Sequence, residues 1–214
     1  MKKKIALLLA SMFILSGCGA AKEGSGNNSS VPDYTASAEV SDENSFIITL
    51  YCDKAPITCE NFINLVSKDF YDGLTFHRVV DDFMAQGGDP QGTGMGGSEQ
   101  NIKGEFASNG VDNDLSHQRG VISMARSGDP NSASSQFFIC YTDCSFLDGS
   151  YAAFGEVTQG MEVVDNFLKV GRSLGGDGAI SAPNTPIVMK DVNMIEKDSN
   201  GNPRVQVIMD DFLG

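Results

Sequence analysis

The sequence predicts an all-β domain, either a sandwich or a barrel, with two helices. Three observations support this fold class. Short apolar runs recur at residues 121–124, 136–141 and 152–157, and Gly, Asn, Asp and Pro separate them. Only two segments show helical periodicity, so helices do not alternate with strands as βα units require. With 214 residues, 41% hydrophobic and 20% charged, the chain is long enough to bury one good core.

The first strand is predicted over Ser45–Tyr51, which is rich in β-branched and aromatic residues. Pro56 then suits the first turn of a helix, where its missing N–H costs no hydrogen bond. Four apolar residues follow at positions i, i+3, i+4 and i+7: Cys59, Phe62, Ile63 and Val66. This spacing gives the helix one apolar face, and Asp72-Gly73 ends it.

A second helix is predicted from about Gly160 to Val170, with Met161, Val164, Phe167 and Leu168 on one side. The run Asp198–Pro203 has turn composition, and residues 205–209 are either a last strand or a tail. We therefore expect the folded domain at residues 34–196, with 197–214 as a C-terminal extension.

The N-terminus has the pattern of a secretory signal. In residues 1–17, Lys2–Lys4 precede an apolar run too short to span a bilayer comfortably. Leu15-Ser16-Gly17-Cys18 resembles a bacterial lipobox, which implies lipid attachment to Cys18, with palmitate among the expected acyl chains. Residues 18–33 are Gly/Ser/Asn-rich, which predicts a flexible tether. We expect an extracytoplasmic lipoprotein anchored to the bacterial cell membrane through Cys18; the alternative is a freely secreted protein.

Charge and cysteine spacing exclude several kinds of partner. The formal net charge is −13, and loss of Lys2–Lys4 brings it to about −16 (−13 minus 3), so nucleic acid is not expected to bind. The remaining cysteines are Cys52, Cys59, Cys140 and Cys144, whose spacing is not that of a zinc site. We expect free, largely buried thiols, with two disulfides as the alternative.

Familiar catalytic constellations are absent from the sequence. His77 and His117 are the only histidines, and no serine or cysteine has a nucleophile-elbow context, so both are expected to be structural and satisfied. Gly92–Gly97 satisfies G-x-G-x-x-G but follows no clear strand and has no nearby basic residue, which argues against a phosphate loop. The Asp-rich turns lack the closing Glu of a calcium loop. No metal and no cofactor are expected.

Five motifs remain, and together they resemble the cyclophilin family of peptidyl-prolyl isomerases between about Ser45 and Glu196. They are FHR (76–78), FMAQGGD (83–89), ISMA (122–125), SQFFI (135–139) and FLDG (146–149). The resemblance implies a closed eight-stranded antiparallel barrel capped by two α-helices, with the active groove on its outer face. It also implies a monomer that acts on proline-containing polypeptides without a cofactor.

The resemblance assigns the site residue by residue. Arg78 matches the catalytic arginine, and Gln86 would hold the peptide backbone and orient Arg78. Substrate-binding positions are Phe83, Met84, Phe138 and Leu147 around the proline ring, Ala125 and Arg126 through main-chain groups, Gly92 and Gln136 in an adjoining subsite, and Phe146 and Tyr151 in the groove. Prolyl isomerisation of secreted or surface proteins is the expected function; the alternative is a proline-peptide-binding chaperone or scaffold without turnover.

Overall fold

The computed structural model describes residues 44–214. The predicted signal segment 1–17, Cys18, the tether 18–33 and residues 34–43 lie outside the described residues. Within residues 44–214, no helix is both long and apolar enough to cross a membrane.

Ten strands and two α-helices make up the described chain. The strands are β1 Ser45–Leu50, β2 Thr75–Val80, β3 Met84–Asp89, β4 Val121–Met124, β5 Phe137–Cys140, β6 Ala153–Gln159, β7 Arg172–Leu174, β8 Ile180–Pro183, β9 Met189–Ile195 and β10 Arg204–Met209; the helices are α1 Pro56–Val66 and α2 Met161–Asn166. Eight strands form one sheet in the order β2-β3-β5-β4-β6-β1-β10-β9, and all neighbours are antiparallel. The predicted all-β class is confirmed as a curled, eight-stranded antiparallel half-barrel with two short helices.

The two edge strands of this sheet approach each other at one end. The Phe76 N–H donates to the Ile187 carbonyl at 2.9 Å, and the Met189 N–H donates to the Leu74 carbonyl at 2.9 Å. These bonds join the start of β2 to the start of β9, so the sheet curls around its core.

The core inside the curled sheet is aromatic. Phe62 on α1 lies edge-on to Phe137 on β5, with ring centroids 5.4 Å apart, and Phe76 on β2 meets the same ring at 5.7 Å. Phe154 on β6 packs 5.2 Å from Phe62. All four rings are at most 1% exposed. Because a buried aromatic contributes a large apolar area, this cluster holds the helix and three strands together.

Both predicted helices are present. Pro56 is the first residue of α1, as its missing N–H favours. No side chain of the preceding residues caps this helix; instead the buried Glu105 carboxylate accepts the Ile57 N–H at 3.0 Å, the Thr58 N–H at 2.7 Å and the Thr58 hydroxyl at 2.7 Å. The second helix is shorter than expected, because α2 ends at Asn166 and a 3-10 turn continues it over Phe167–Lys169.

The C-terminal residues include a strand of the main sheet, β10, which follows the expected domain boundary at residue 196. β10 pairs with β1 on one side and β9 on the other, with Phe46 opposite Val207. Val205, Val207 and Met209 are buried, and so is Gln206 between the first two. Of the two options for residues 205–209, the strand is the one observed, and its partner β1 lies some 160 residues earlier in the chain.

A second, two-stranded sheet was not predicted. β7 and β8 form a hairpin with Ser173 opposite Ala182, and it lies beside β2. All four described cysteines are free thiols, as expected: Cys59, Cys140 and Cys144 are buried and Cys52 is half-buried.

Candidate active site

Strand register places the principal predicted residues in one row. Arg78 on β2 is opposite Gln86 on β3, and Gln86 is in turn opposite Phe138 on β5. A small apolar cluster, separate from the main core, surrounds Phe138; its buried members are Met84, Phe138, Cys140, Cys144 and Leu147. The sheet therefore presents one cation and one amide beside an apolar floor.

Nine of the twelve predicted groove residues line a single cavity of about 320 Å³. They are Arg78, Phe83, Met84, Gln86, Ala125, Arg126, Phe138, Leu147 and Tyr151. The Phe138 ring lies edge-on to Tyr151 with centroids 6.0 Å apart. Phe146 does not line this cavity: its side chain is 72% exposed, and its ring lies 5.8 Å from Phe83 at the rim.

Gly92 and Gln136 were expected in one adjoining subsite, and the structure separates them. Gln136 lines a cavity of about 300 Å³ together with Gly94, Gly96 and Ala125. Gly92 instead lines a cavity of about 600 Å³ on the other side of Arg78, next to the β7–β8 hairpin. The Gly-rich loop lines both cavities, and Gly94 contributes to each of them.

A relay of amide groups fixes the orientation of Gln86. The Gln136 Nε2 group donates to the carbonyls of Gly94 at 3.1 Å and Gly96 at 2.7 Å. Its Oε1 is therefore the atom that accepts from Gln86 Nε2, at 2.8 Å. This leaves Gln86 Oε1 to accept from Arg78 Nη1, at 3.4 Å. Because amide nitrogens only donate and amide oxygens only accept, two backbone carbonyls determine which group Gln86 presents to Arg78.

The guanidinium of Arg78 has a second partner that the sequence did not suggest. Its Nε donates to Asp177 Oδ2 at 2.6 Å, and this ion pair with Arg78 holds the pKa of the Asp177 carboxyl at about 2. Asp177 is 99 residues from Arg78 in the chain and sits between Gly176 and Gly178, which looks like an ordinary turn in the sequence.

Comparison with known proteins identifies the family of this site. A family model described as cyclophilin type peptidyl-prolyl cis-trans isomerase/CLD matches residues 35–194. The chain belongs to this family. Among curated relatives, a peptidyl-prolyl cis-trans isomerase-like 1 of Rhizopus delemar is 48% identical over 118 residues, which cover 55% of this chain and 70% of the relative. A peptidyl-prolyl cis-trans isomerase-like 3 of Rattus norvegicus is 44% identical over 124 residues, covering 58% and 75%.

A solved cyclophilin of Cryptosporidium parvum, crystallised in the presence of the dipeptide Ala-Pro, is similar in both fold and sequence. The TM-score is 0.60 at 29% identity, covering 77% of this chain and 92% of that one. The family match, the relatives and this structure agree that the chain is a cyclophilin-type peptidyl-prolyl cis-trans isomerase. Proline-containing peptides as substrates are consistent with the family and with the Ala-Pro dipeptide used in that crystal structure.

In this cyclophilin the Arg126 side chain bonds to other groups of the protein. Its Nε and Nη2 donate to the Ser150 carbonyl at 3.1 and 2.8 Å, and its guanidinium lies 4.5 Å from the centroid of Tyr151. Arg126 thus braces one wall of the cavity. The predicted contact of substrate with the main chain of Arg126 is compatible with this arrangement.

The two histidines of this cyclophilin differ in their hydrogen bonding. His117 is buried behind Phe138, with the two rings stacked at 6.1 Å. Its Nδ1 is 2.7 Å from Asp148 Oδ1, which can only accept, so Nδ1 carries the proton and Nε2 accepts from the Ser123 hydroxyl at 2.9 Å. His117 is the satisfied structural residue expected. His77 departs from that expectation, because neither ring nitrogen has a partner although both are buried.

The Gly92–Gly97 loop is not built as a phosphate loop. Its backbone N–H groups converge on the buried carboxylate of Asp89: Gln91, Thr93, Gly94 and Gly96 donate at 2.8, 3.0, 2.7 and 3.2 Å. Burial raises the pKa of Asp89, but these four bonds outweigh burial and keep its pKa below the usual value. The N–H groups that would bind a phosphate are thus already taken by the protein's own anion.

Proposed function

We propose that this cyclophilin accelerates rotation about X-Pro bonds in secreted or surface proteins, with Arg78 as the catalytic donor. The observation that supports this best is the position of the Arg78 guanidinium in the wall of the 320 Å³ cavity, held by Gln86 and next to the apolar floor of Phe138 and Leu147. A proline ring on that floor places its nitrogen within reach of one fixed cation.

The chemistry requires neither a nucleophile nor a metal. Partial double-bond character gives the X-Pro bond a rotation barrier of ~18–20 kcal/mol. As the bond twists, the prolyl nitrogen regains its lone pair and accepts a hydrogen bond from Arg78 more strongly than the planar amide can. A hydrogen bond to a charged group contributes about 1.5–3 kcal/mol, which corresponds to roughly 10- to 150-fold in rate.

The remaining predicted residues are proposed as the substrate groove. Phe83, Met84, Phe138 and Leu147 would surround the proline ring, and the exposed Phe146 would cover it from the rim. Support comes from their common cavity and from burial of Met84, Phe138 and Leu147 at 1%, 5% and 9% exposure, since a floor this well packed is preformed before substrate arrives.

The test compares Arg78→Ala with the matched control Arg119→Ala. Arg119 also forms an ion pair with an aspartate, Asp165, at 2.7 Å, and it is 48% exposed. The full-length chain, purified in mild detergent, is assayed for cis–trans exchange of an Ala-Pro tetrapeptide and for binding of that peptide by NMR titration. We expect R78A to lose nearly all turnover while it still binds the peptide, and R119A to keep both.

The same experiment addresses the second candidate function, a peptide-binding scaffold. If the wild-type chain binds the peptide without accelerating its exchange, the scaffold is correct and catalysis by Arg78 is refuted. The preformed apolar cavity is compatible with both functions. The fixed arginine beside it favours the isomerase.

We also propose that the protein is anchored on the outer side of a bacterial cell membrane by a lipid on Cys18. The support is the sequence Leu15-Ser16-Gly17-Cys18 after an apolar run, together with a tether of 18–33. In the producing cell, we expect the wild-type chain in the membrane fraction, released by detergent and not by high salt. Cys18→Ser should abolish lipid attachment, and release of the wild type by salt alone would show that it is not anchored.

A closed barrel is the finer form of the fold that we propose. The hydrogen bonds between Leu74–Phe76 and Ile187–Met189 support it, because they link the two edges of the eight-stranded sheet. Hydrogen exchange tests the idea: the Phe76 and Met189 amides should be protected as well as amides in the middle of the sheet.

A further inference from the structure

Two ion pairs join the β7–β8 hairpin to β2 and to the turn that follows β2. The cation comes from β2 in one pair and from the hairpin in the other. Arg78 on β2 donates to Asp177 at the hairpin tip, and Arg172 on β7 donates to both oxygens of Asp81 at 2.9 and 3.0 Å. Because each element supplies one cation and one anion, the hairpin is held in one orientation against the strand that contains Arg78.

Oxygen acceptors hold the Arg78 guanidinium at two different nitrogens. Asp177 Oδ2 accepts from Nε, and Gln86 Oε1 accepts from Nη1, which also donates to Met84 Sδ at 3.7 Å. The guanidinium is planar and presents its N–H groups in a fixed fork, so two bonds at different nitrogens set both its position and its tilt. Within residues 44–214, the Nη2 hydrogens have no partner. These are the hydrogens left for a substrate.

Asp177 is itself held before it meets Arg78. Its Oδ1 accepts the Ala179 N–H at 3.0 Å and the hydroxyl of Ser181 at 2.8 Å. Ser181 is buried at 1% exposure, so it is a rigid support. With Oδ1 occupied by the hairpin, Oδ2 is directed to Arg78, and the carboxylate is 24% exposed in this arrangement.

We infer that Asp177 is a positioning residue, which orients the Arg78 guanidinium for the twisted prolyl amide. This inference rests on the proposed catalytic role of Arg78. A positioning carboxylate and a competing carboxylate make opposite predictions. If Asp177 only occupied Arg78 and kept it from substrate, its removal would speed isomerisation; if it orients Arg78, removal slows isomerisation, because a small misplacement of a catalytic group is costly.

The test uses Asp177→Ala and Asp177→Asn in the full-length chain, with Asp165→Asn as the matched control. Asp165 pairs with Arg119 on the surface, outside the groove. The rate constant kcat and the KM of an Ala-Pro tetrapeptide are measured separately. We expect D177A to lower kcat about tenfold with KM changed less than about twofold. In D177N the single amide oxygen cannot accept from both Arg78 Nε and the Ala179 N–H, so its kcat should lie between those of D177A and the wild type. D165N should match the wild type.

A further variant keeps the inference testable if D177A folds poorly. Ser181→Ala removes one support of Asp177 without touching Arg78, and we expect a fall in kcat of about threefold. An unchanged or increased kcat in D177A with a native circular dichroism spectrum overturns the inference. If R78A also keeps its turnover, the proposed function fails; if R78A is inactive while D177A is not, only the role of Asp177 fails.

Discussion

One substitution, Gln136→Glu, should disrupt the amide relay behind Arg78. The side chain of Gln136 is 9% exposed, and its Nε2 donates to the Gly94 and Gly96 carbonyls. A carboxylate has no hydrogen to donate, so Q136E turns two hydrogen bonds into two repulsive contacts. It still accepts from Gln86. The glycine loop must therefore move away, and Gln86 loses the constraint that aims its oxygen at Arg78.

The size of the effect follows from those contacts. Leaving a buried acceptor without its donor costs about 1–3 kcal/mol. The loop can tilt toward water, so we take the two carbonyls of Gly94 and Gly96 together at about 2 kcal/mol. If that cost falls on the catalytic arrangement alone, the fraction of molecules in it drops roughly 30-fold. We expect kcat/KM of Q136E to fall by about this factor at pH 8, while the free energy of unfolding falls by less than about 2 kcal/mol, because the displaced loop avoids part of the cost.

Protonation of the introduced carboxyl group makes the effect of Q136E depend on pH in a defined direction. The introduced carboxyl is buried against carbonyl oxygens, which raises its pKa above the usual value for glutamate. When it is protonated, its O–H can donate to one of the two carbonyls. The ratio of mutant to wild-type kcat/KM should therefore rise as the pH falls from about 8 to 5.

The assay is cis–trans exchange of an Ala-Pro tetrapeptide by NMR, with urea unfolding on the same samples. Gln118→Glu is the matched control, because the Gln118 side chain is exposed and bonds to Ser116 Oγ at 3.3 Å and to Asp143, none of which lines the groove. Q118E should behave as the wild type. A Q136E variant with wild-type kcat/KM at pH 8 would refute the idea that the relay orients Arg78.

Three further predictions concern other parts of the domain. Burial lowers the pKa of His117 despite the opposing effect of Asp148, so the unfolded chain takes up a proton at this residue at a higher pH than the folded chain does; the free energy of unfolding in urea should decrease from pH 7.5 to pH 5, and less so in H117Q, whereas equal slopes would contradict this. Phe146→Ala removes an exposed ring, so the free energy of unfolding should change by less than about 0.5 kcal/mol, while a titration shows several-fold weaker peptide binding; unchanged binding would show that Phe146 is not part of the groove. Contact with Cys59 lowers the pKa of the half-buried Cys52, so iodoacetamide should modify Cys52 first among the described cysteines, and early modification of Cys59 in the peptide map would contradict the packing.

Local patterns in the sequence were sufficient for the helices and for several strands. Pro56 and the apolar spacing that follows it predicted α1, and the run Val121–Met124 is β4 without change. β10 could not be separated from a tail, because a strand is defined by its partners, and β1 lies at the other end of the domain. Helix α2 was predicted too long, since Asn166 and the 3-10 turn after it preserve the apolar spacing without continuing the α-helical bonds.

For the site, motif resemblance predicted side chains that lie together in the structure, but not the atoms that orient them. Nine of the predicted side chains share one cavity. Asp177 went unnoticed because its neighbours are glycines and its partner is 99 residues away. The path of the glycine loop could not be predicted for a related reason: the loop wraps around Asp89, and that path is set by four backbone bonds that leave no pattern of side chains.

Two short glycine-containing loops thus orient the polar side chains that the motifs supply. One supplies the Gly94 and Gly96 carbonyls that set Gln86, and the other supplies Asp177. Arginine has a long, flexible side chain, so an unsupported guanidinium would spend most of its time away from the prolyl nitrogen. A chain with the same five motifs and different loops would keep the apolar cavity and bind proline peptides, yet turn them over slowly. On the proposed mechanism, isomerisation therefore requires Arg78, and the partners of Arg78 set how fast it proceeds.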